Sequence, residues 1–504
     1  MSLESGGATA PRTEHAAPPR PAPAGPKYLV EEENRALVAA AGRPRTALDV
    51  GCGIGLNGAA IRRRTGARVT GIEIVPASIA RAERVLDEVV AADVSSDASV
   101  RAALGDRRFD LILFADVLEH TADPAAVLRR LLPHLEDDGH VIVSLPNVAA
   151  WTVRLGLLAG RFDYEPSGIL DDSHLRFFTR SSAIDLVQGA GLEVLRVEQN
   201  PMLVRAAKKL ILRAGGAGAE RADPTALASS FPYKAYQAFV RPIEDVIAAR
   251  APELLAFQHV IIARKPPRPR KLRLTVGMLT MDEEESVEAM IGEIRRVAPD
   301  AEILCVDSST KDRTAEIAAR LGARVLRQVP PRGHGPAMEL LMNSAAARSE
   351  ALIYLDCDFT YPADSLPVIR RLLEEEGVDV VNCARTRTRP AAMPVPNYLA
   401  NRTFAAMAHA MHGIPTCDVH SGMRGYRCSV IRAFDFDGEG DALPIDTLLY
   451  PAKCGYRVVE LPIDYNERVG TSKLRKLAGT VWTMIRLLRA VPVGARLGNR
   501  YERR

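Results

Sequence analysis

The feature that most constrains the fold is an alternation of short apolar runs with stretches of helical spacing, which occurs twice along the chain. The runs TALDVG, ARVTGIEI, FDLILFAD and GHVIVSL precede a basic, proline-rich break at residues 265–271, and LRLTVGML, AEILCVD, ARVLRQ and ALIYLD follow it. Strands that alternate with helices form parallel sheets through right-handed crossovers. The sequence therefore predicts an α/β protein with two tandem domains, over residues 28–266 and 272–495.

Three segments depart from this alternation. Residues 1–26 are rich in Pro, Ala and Gly without periodicity, which predicts a disordered tail. The break KPPRPRK predicts a stiff, exposed linker, centred on 267–271, that leaves the two domains independent. The runs at 191–200 and 257–265 resemble partner strands, but the interval between them far exceeds a usual hairpin loop. We therefore expect a helical insertion at about 201–256, acting as a lid or as a surface for an acceptor.

Charge and cysteine content narrow the class of protein. The 504 residues carry a formal net charge of +4, whereas a nucleic-acid binder needs a concentrated basic face, so no nucleic-acid partner is expected. The seven cysteines include no CxxC pair, which argues against a zinc site and indicates a reducing compartment. Because no signal peptide precedes the first domain and no apolar run has the length of a membrane-spanning helix, we expect a cytoplasmic protein.

A glycine-rich motif follows the first predicted strand. In LDVGCGIGLNG, Asp49 is followed by Gly51, Gly53 and Gly55, between a strand and a helix. Glycine is needed there because the turn requires unusual backbone angles and a ligand must approach the backbone closely. The stretch from Gly53 onward also satisfies GxGxxG, the dinucleotide fingerprint, so the motif alone leaves the ligand open.

The order of acidic residues along the first half of the chain indicates which ligand the glycine-rich motif binds. Glu73 ends the next strand, Asp93 lies in AADVSS, and FDLILFADVLEH follows with an acid-rich end. Residues 28–266 thus resemble class I methyltransferases that use S-adenosyl-L-methionine (SAM). The resemblance implies that Asp49 and the loop Gly51, Gly53 and Gly55 contact the methionine part of SAM. It also implies that Glu73 binds the ribose hydroxyls and Asp93 the adenine amine.

The sequence says less about the methyl acceptor than about SAM. Transfer to oxygen benefits from a general base with a pKa near neutrality, and His174 in DDSHLRFF is the natural candidate. His120 in LEH is its rival. Either histidine is equally compatible with a purely structural, hydrogen-bonded role.

A second motif, LIYLDCDFTYP, ends an apolar strand in the other half. Asp356 and Asp358 are separated by one residue, so alternation along the strand points both carboxylates to one side. Two carboxylates this close repel each other unless a divalent cation lies between them and a diphosphate. The motif therefore predicts a site for Mg²⁺ or Mn²⁺.

Five further elements accompany this motif in order: VGMLTMDEEES, VDSSTKDRTAEIA, RGHGPAM, HSGMRGYR and NERVGTSKL. The series, over residues 272–480, resembles family-2 GT-A glycosyltransferases of the polyprenyl-phosphate (dolichol-phosphate) mannosyltransferase type. The resemblance implies that Glu283 and Asp307 bind the nucleoside of a nucleotide-sugar donor, while Asp358, with Asp356, holds the metal. It also implies that the cations Arg385, Arg468 and Lys473 neutralise the donor and acceptor phosphates.

Two features bear on the sugar acceptor. Asp446 in LPIDTLLY falls where relatives that use a hydroxyl acceptor often carry the catalytic base, although a structural role on a helix fits equally. After Leu474, the residues Leu477, Val481, Ile485 and Leu488 recur at helical spacing beside basic residues. This stretch predicts either an interfacial helix at a membrane that holds a lipid acceptor or a helix packed on its own domain.

Together the motifs predict a bifunctional enzyme that methylates with SAM and transfers a sugar, with inversion and with a metal, from a nucleotide sugar. A polyprenyl phosphate, a glycan or a small metabolite would be the acceptor. The alternative is that only one domain is catalytically active and the other binds a partner or ligand.

Overall fold

The computed structural model describes residues 33–201, 251–468, 476–489 and 501–503. Strands β1 to β15, in chain order, are Thr46–Val50, Arg68–Glu73, Glu88–Ala91, Phe109–Ala115, Leu135–Pro146, Glu193–Pro201, Ala256–Arg264, Leu274–Thr280, Glu302–Asp307, Arg324–Arg327, Ala351–Asp356, Val380–Ala384, Arg424–Arg427, Val458–Pro462 and Tyr501–Arg503. The α-helices are Arg35–Ala40, Leu56–Thr65, Pro76–Ala82, Asp97–Leu104, Pro124–Leu131, Trp151–Leu158, Arg180–Gly189, Pro252–Leu255, Glu284–Val297, Thr314–Arg320, His334–Ala346, Leu366–Glu374, Val395–His412, Cys428–Arg432, Leu443–Lys453 and Lys476–Arg489. Short 3-10 helices occupy Leu118–His120, Leu132–His134 and Ala363–Ser365.

The first sheet has seven strands in the order β3-β2-β1-β4-β5-β7-β6. Its central strands are apolar on both faces, since helices cover the sheet on each side, and β1 and β4 are buried along nearly their whole length. Strand β7 runs antiparallel to both β5 and β6, with Glu193 opposite Arg264. The predicted pairing of 191–200 with 257–265 is therefore confirmed, whereas most of the predicted helical insertion and the predicted tail lie outside the described residues.

The second sheet has eight strands in the order β10-β9-β8-β11-β13-β12-β14-β15. Strand β13 runs antiparallel to β11 and β12, and the other pairs are parallel. Two tandem α/β domains are thus confirmed, with one antiparallel strand in each sheet that the alternation of strands and helices did not predict. Both antiparallel strands, β7 and β13, begin at the carboxyl edge of their sheet.

The two domains pack against each other through a buried interface. Leu195 and Ile262 of the first domain share one hydrophobic cluster with Cys454 of the second. Arg264 donates to both carboxylate oxygens of Asp379 at 2.6 and 2.9 Å, and this ion pair is almost fully buried. The expectation of independent domains is therefore wrong, because the composition of a linker does not report the apolar surfaces on either side of it.

The linker itself is anchored at its end. Arg270 donates to Asp138 of the first domain and to Glu350 of the second, each at 2.6 Å. A charged residue that sequence reasoning assigned to solvent thus joins the two domains.

The interface lies at the amino ends of the parallel strands of both sheets. In the first domain Arg264, the last residue of β7, lies opposite His140 of β5. His140 in turn lies opposite Leu111, near the beginning of β4. In the second domain Asp379 directly precedes β12, and Arg427 faces Ala351 at the start of β11. The carboxyl edges, where open α/β sheets bind their ligands, consequently face away from each other.

Candidate functional sites

The glycine loop joins β1 to the helix Leu56–Thr65. Gly51, Gly53 and Gly55 all have left-handed backbone angles, with φ of 60°, 54° and 83°. A Cβ atom added at Gly53 would meet nothing within 4 Å, whereas one added at Gly51 would lie 2.7 Å from Cγ2 of Val117. The loop therefore presents bare backbone to open space at Gly53, as a site for a closely bound ligand requires.

Asp49 lies beneath this loop and is only 1% exposed. Its Oδ2 accepts the backbone N–H of Gly58 at 3.0 Å, while its Oδ1 has no hydrogen-bond partner among the described residues. Burial raises the pKa of Asp49 to about 7, and the nearby Glu73 carboxylate adds to the shift. A buried, unsatisfied carboxylate oxygen is costly, so this atom suits a cationic or hydrogen-bond-donating ligand.

The other two predicted SAM-binding acids are placed differently. Glu73 ends β2 and binds the loop directly, since its Oε2 accepts the N–H of Gly53 at 2.8 Å. Its Oε1 accepts the N–H of Ile74 at 2.8 Å. Asp93 is exposed after β3, and its Oδ1 accepts the N–H of Ser95 at 2.8 Å. The structure thus brings Asp49, Glu73 and the glycine loop together and leaves Asp93 in a local turn.

A histidine pair and a glutamate lie beyond β4, on the side predicted for the methyl acceptor. The rings of His120 and His174 are 4.9 Å apart between centroids. Burial, followed by the neighbouring His120, lowers the pKa of His174. Burial, together with Asp116, raises the pKa of Glu119 well above its usual value. Sequence reasoning selected both histidines but missed Glu119, although its position beside His120 at the end of a strand was a usable signal.

Charged residues surround the carboxylates of Asp356 and Asp358 (the DxD motif) at the carboxyl end of β11. Burial, and then Asp358, raise the pKa of Asp356 to about 7, with Glu283 acting in the same direction. Arg385 and Arg468 oppose this shift. The structure therefore brings four other predicted donor-site residues within electrostatic range of Asp356.

Gly422 makes room for the first carboxylate of the motif. A Cβ atom added there would lie only 2.4 Å from Oδ2 of Asp356. This glycine belongs to the HSGMRGYR element, whose function in the sequence was otherwise unassigned.

Asp358 is 4% exposed and has protein partners on both oxygens. Its Oδ2 lies 2.9 Å from Nη2 of Arg468, and its Oδ1 accepts the N–H of Thr360 at 3.1 Å. The side chain of Arg468 is 30% exposed, so it can turn from Asp358 toward a phosphate.

Asp307 is fully buried and bonded at both oxygens. Its Oδ1 accepts the hydroxyls of Thr280 and Ser309, each at 2.7 Å, and its Oδ2 lies 2.9 Å from Nη1 of Arg327. Because both oxygens of Asp307 already have protein partners, the carboxylate holds Ser309 and Arg327 in position. Direct contact of Asp307 with a nucleoside stays a prediction. Glu283, by contrast, is partly exposed in the first turn after β8.

Arg385 has a partner that sequence reasoning missed. It donates to both oxygens of Asp418, at 2.8 and 3.0 Å, and its guanidinium lies over the rings of Tyr361 and Tyr465. The charge of Arg385 is therefore already balanced by Asp418, which leaves less of it for a phosphate. The signal available in the sequence was Asp418 itself, which precedes HSGMRGYR.

Asp446 lies in the first turn of the helix Leu443–Lys453 and is 7% exposed. It forms an ion pair with Arg486 of the helix Lys476–Arg489. Burial raises the pKa of Asp446 to about 6, and Arg486 opposes the shift. This ion pair favours the structural alternative for Asp446 over the catalytic base. Lys473 lies outside the described residues.

The predicted amphipathic helix is present as Lys476–Arg489. Its packed face contains Thr483 and Leu487, whereas Val481 and Leu488 of the predicted apolar stripe are 50% and 67% exposed. No helix in the described ranges is long and apolar enough to cross a membrane.

Comparisons with known families match each half of the chain separately. A family model described as "Methyltransferase domain" matches residues 26–197, and one described as "Glycosyl transferase family 2" matches residues 275–434. Both resemblances stated from the sequence are thereby confirmed.

Curated relatives divide in the same way. Dolichyl-phosphate hexose transferase of Haloferax volcanii is 37% identical over 207 residues, covering 41% of this chain and 88% of that protein. Undecaprenyl-phosphate mannosyltransferase of Micrococcus luteus is 28% identical, covering 40% and 88%. Ubiquinone biosynthesis O-methyltransferase of Serratia proteamaculans is 30% identical over 165 residues, covering 31% of this chain and 67% of that protein.

Proposed function

We propose a function for this chain from the premise that it belongs both to the class I SAM-dependent methyltransferases and to the family-2 glycosyltransferases. It is a transferase enzyme with two domains. In our proposal the N-terminal domain transfers a methyl group from SAM, and the C-terminal domain transfers a sugar, with inversion, from a nucleotide sugar held with Mg²⁺ or Mn²⁺.

One observation carries this proposal: each sheet presents, at its carboxyl edge, a carboxylate that the protein itself leaves incompletely neutralised. In the first domain this is Asp49, with an unpartnered buried oxygen. In the second it is Asp356, whose carboxyl group lies beside Asp358 in a buried setting. Both arrangements are costly for the empty protein and are relieved by positively charged ligands.

The residues of the first domain fit SAM. When bound, SAM supplies an electrophilic methyl group on a sulfonium cation. Asp49 would balance positive charge on the methionine part, and the bare backbone at Gly53 would allow its close approach. Glu73, already fixed to the loop through Gly53, would hold the ribose hydroxyls. The absence of phosphate from SAM suits a loop surrounded by acids.

The residues of the second domain fit a divalent cation and a diphosphate. When bound, the cation supplies positive charge that neutralises the diphosphate leaving group. Asp356 and Asp358 would hold it, since paired carboxylates are the oxygen ligands that Mg²⁺ and Mn²⁺ prefer. Arg468 would move from Asp358 to a phosphate once the cation takes its place, and Lys473 would assist.

We propose a polyprenyl phosphate as the sugar acceptor. A phosphate is already anionic and needs no base, whereas a hydroxyl needs one to accept its proton. Asp446, the candidate base, is held in an ion pair with Arg486, which supports the phosphate. The names of two relatives, dolichyl-phosphate hexose transferase and undecaprenyl-phosphate mannosyltransferase, point the same way.

A lipid acceptor implies contact with a membrane surface. The helix Lys476–Arg489 turns Val481, Met484 and Leu488 outward, and Arg489 is exposed beside them. An apolar stripe flanked by basic residues suits the interface of an anionic membrane. We therefore propose peripheral contact through this helix, beside the NERVGTSKL element.

The test measures sugar transfer to a polyprenyl phosphate and to a sugar alcohol by the full chain and three variants. Arg468→Ala and Lys473→Ala should each lower the rate on the phosphate by about 10² to 10³-fold, because each removes a charge that stabilises the transition state. Asp446→Asn should change it far less. A severe loss of transfer to the sugar alcohol in Asp446→Asn, with Arg468→Ala and Lys473→Ala near normal, would instead support the hydroxyl acceptor.

A further inference from the structure

Three side chains with metal-binding atoms converge in the first domain, outside the predicted SAM contacts. Glu119 and His120 form the end of the 3-10 helix that follows β4, and His174 belongs to the loop between the helices Trp151–Leu158 and Arg180–Gly189. Each offers one ligand atom, and these atoms all lie within 4.8 Å of one another. In the described part of the chain, no other group of three such residues is this compact.

The carboxylate of Glu119 is the group that most needs a ligand here. Glu119 is 1% exposed, and neither of its carboxylate oxygens has a hydrogen-bond partner in the described ranges. The backbone fixes it in place, since its carbonyl oxygen accepts the N–H groups of Leu175 and Arg176 at 2.8 and 3.1 Å. These two bonds also bring the loop of His174 against the 3-10 helix. A buried carboxylate with no partner is strongly unfavourable unless a cation joins it.

Both histidines are oriented as metal ligands usually are. Nδ1 of His174 lies 3.1 Å from the carbonyl oxygen of Ile169, and Nδ1 of His120 lies 3.3 Å from that of Ser173. Because a carbonyl oxygen only accepts, these contacts place the proton of each ring on Nδ1 and leave Nε2 its lone pair. The hydroxyl of Ser173 also lies 3.3 Å from Nδ1 of His120, but it donates its own proton to Asp171. Metal-binding histidines characteristically donate their second ring nitrogen to a backbone carbonyl in this way.

We propose that Glu119, His120 and His174 bind one divalent cation, and that this cation holds the methyl acceptor through oxygen. One carboxylate and two imidazoles form a donor set that suits Zn²⁺, Mn²⁺ or Co²⁺ and leaves coordination positions open. The part of the proposal that concerns the acceptor rests on the proposed methyl transfer. Metal binding itself does not.

The position of the cluster agrees with this use. The added Cβ atom at Gly51 would touch Val117, so the glycine loop lies against the residues that lead into the 3-10 helix. A cation at Glu119 would therefore lie beside the predicted SAM site, on its acceptor side. In this arrangement His174 is a metal ligand, and its Nε2 is no longer available as a general base.

The test titrates the metal-free full chain with Zn²⁺ and with Co²⁺, in the absence of SAM. Asp356→Asn/Asp358→Asn serves as the background, because it removes the other predicted metal site. We expect one bound cation per chain, calorimetrically and by the visible absorption of Co²⁺. Glu119→Gln and His174→Ala should each weaken binding by at least ~10-fold. His409→Ala, which removes an exposed histidine elsewhere, should leave binding unchanged.

Folding of the variants is checked by thermal melting without metal. Glu119→Gln should melt no lower than its parent, since it removes a buried charge that has no partner. Addition of acetohydroxamate, a simple oxygen chelator, should change the Co²⁺ spectrum if coordination positions are open. Equal cation affinity in the parent and in folded Glu119→Gln and His174→Ala, or no cation bound by the parent, would overturn the site. A separate titration of the parent with SAM tests the proposed methyl transfer, and failure of SAM to bind there would leave the cation site standing.

Discussion

At the scale of single residues, three carboxylates lie in places where neighbouring groups do not fully compensate their charge. Asp49 lies within the central strand β1, Asp356 ends β11, and Glu119 lies in the 3-10 helix that follows β4. Burial raises the pKa of all three. Such groups lower the stability of the empty protein and gain most from a cationic ligand.

Replacement of Asp49 should raise the stability of the protein and at the same time weaken its binding of SAM. Its pKa is about 7 in the folded protein, above the ordinary value near 4, so the folded state binds more protons than the unfolded state between these pH values. The stability of the wild type therefore falls as pH rises from about 4 to about 7. Asp49→Asn should have a higher Tm than the wild type at pH 8, with no gain at pH 4, yet weaker SAM binding.

Thermal melts at several pH values and calorimetry with SAM check this result. Asp163→Asn, at an exposed aspartate, is the matched control and should change neither quantity. A variant Asp49→Asn that binds SAM like the wild type would contradict the assigned contact.

Metal binding at the DxD motif should depend on pH near neutrality. Because the pKa of Asp356 is about 7, protons compete with the cation below that value. The affinity for Mn²⁺ in the presence of a nucleoside diphosphate should therefore rise from pH 6 to pH 8 and then level off. Calorimetry across this range checks it, and a flat profile would show that Asp356 does not titrate at the site.

At the scale of elements, the alternation of strands and helices and the two glycine and acid motifs were readable from the sequence. Antiparallel β13 was not, because its pairing with β11 and β12 depends on distant residues. The bidentate partner of Arg385 and the buried Glu119 were missed for the same reason, since their significance lies in contacts across the fold. The inward position of Arg486, which reaches Asp446 from the helix Lys476–Arg489, was likewise not predicted, because it depends on a contact between two helices.

The inward position of Arg486 leads us to a prediction about the helix Lys476–Arg489. Besides Asp446, Arg486 donates to the carbonyl oxygens of Asp441 and Glu439, at 2.9 and 2.8 Å. Asp446→Asn should therefore loosen the helix and speed its amide hydrogen exchange, because it leaves Arg486 buried without its counter-charge. Asp364→Asn, which breaks an exposed ion pair with Arg296, is the control. Unchanged exchange in Asp446→Asn would contradict the structural role.

At the scale of the whole molecule, the two sheets meet by their amino edges. Strands β1 and β11 both run away from this interface, so the two carboxyl edges, and with them the two predicted sites, lie on opposite sides of it. A product shared by the two reactions must therefore leave one site before it reaches the other.

The ion pair between Arg264 and Asp379 should couple the unfolding of the two domains. Asp379→Ala leaves the buried guanidinium of Arg264 with Glu193 as its remaining carboxylate partner, and breaking a buried pair in this way costs up to about 3–5 kcal/mol. We expect a single thermal transition in the wild type and two separated transitions, the first at a lower temperature, in Asp379→Ala. Asp435→Ala, at the exposed contact with Arg43 across the same interface, should melt like the wild type. Calorimetric scans distinguish these outcomes, and one unshifted transition in Asp379→Ala would contradict the coupling.

The central claim is that one chain carries two transferase sites at opposite ends. Calorimetry on the full chain tests it most directly, with SAM and, separately, with a panel of nucleotide sugars in Mn²⁺. We expect the wild type to bind SAM and one nucleotide sugar, Asp49→Ala to lose only SAM binding, and Asp358→Ala to lose only sugar-nucleotide binding. Tight sugar-nucleotide binding by folded Asp358→Ala in EDTA, or SAM binding by folded Asp49→Ala at wild-type affinity, would contradict it.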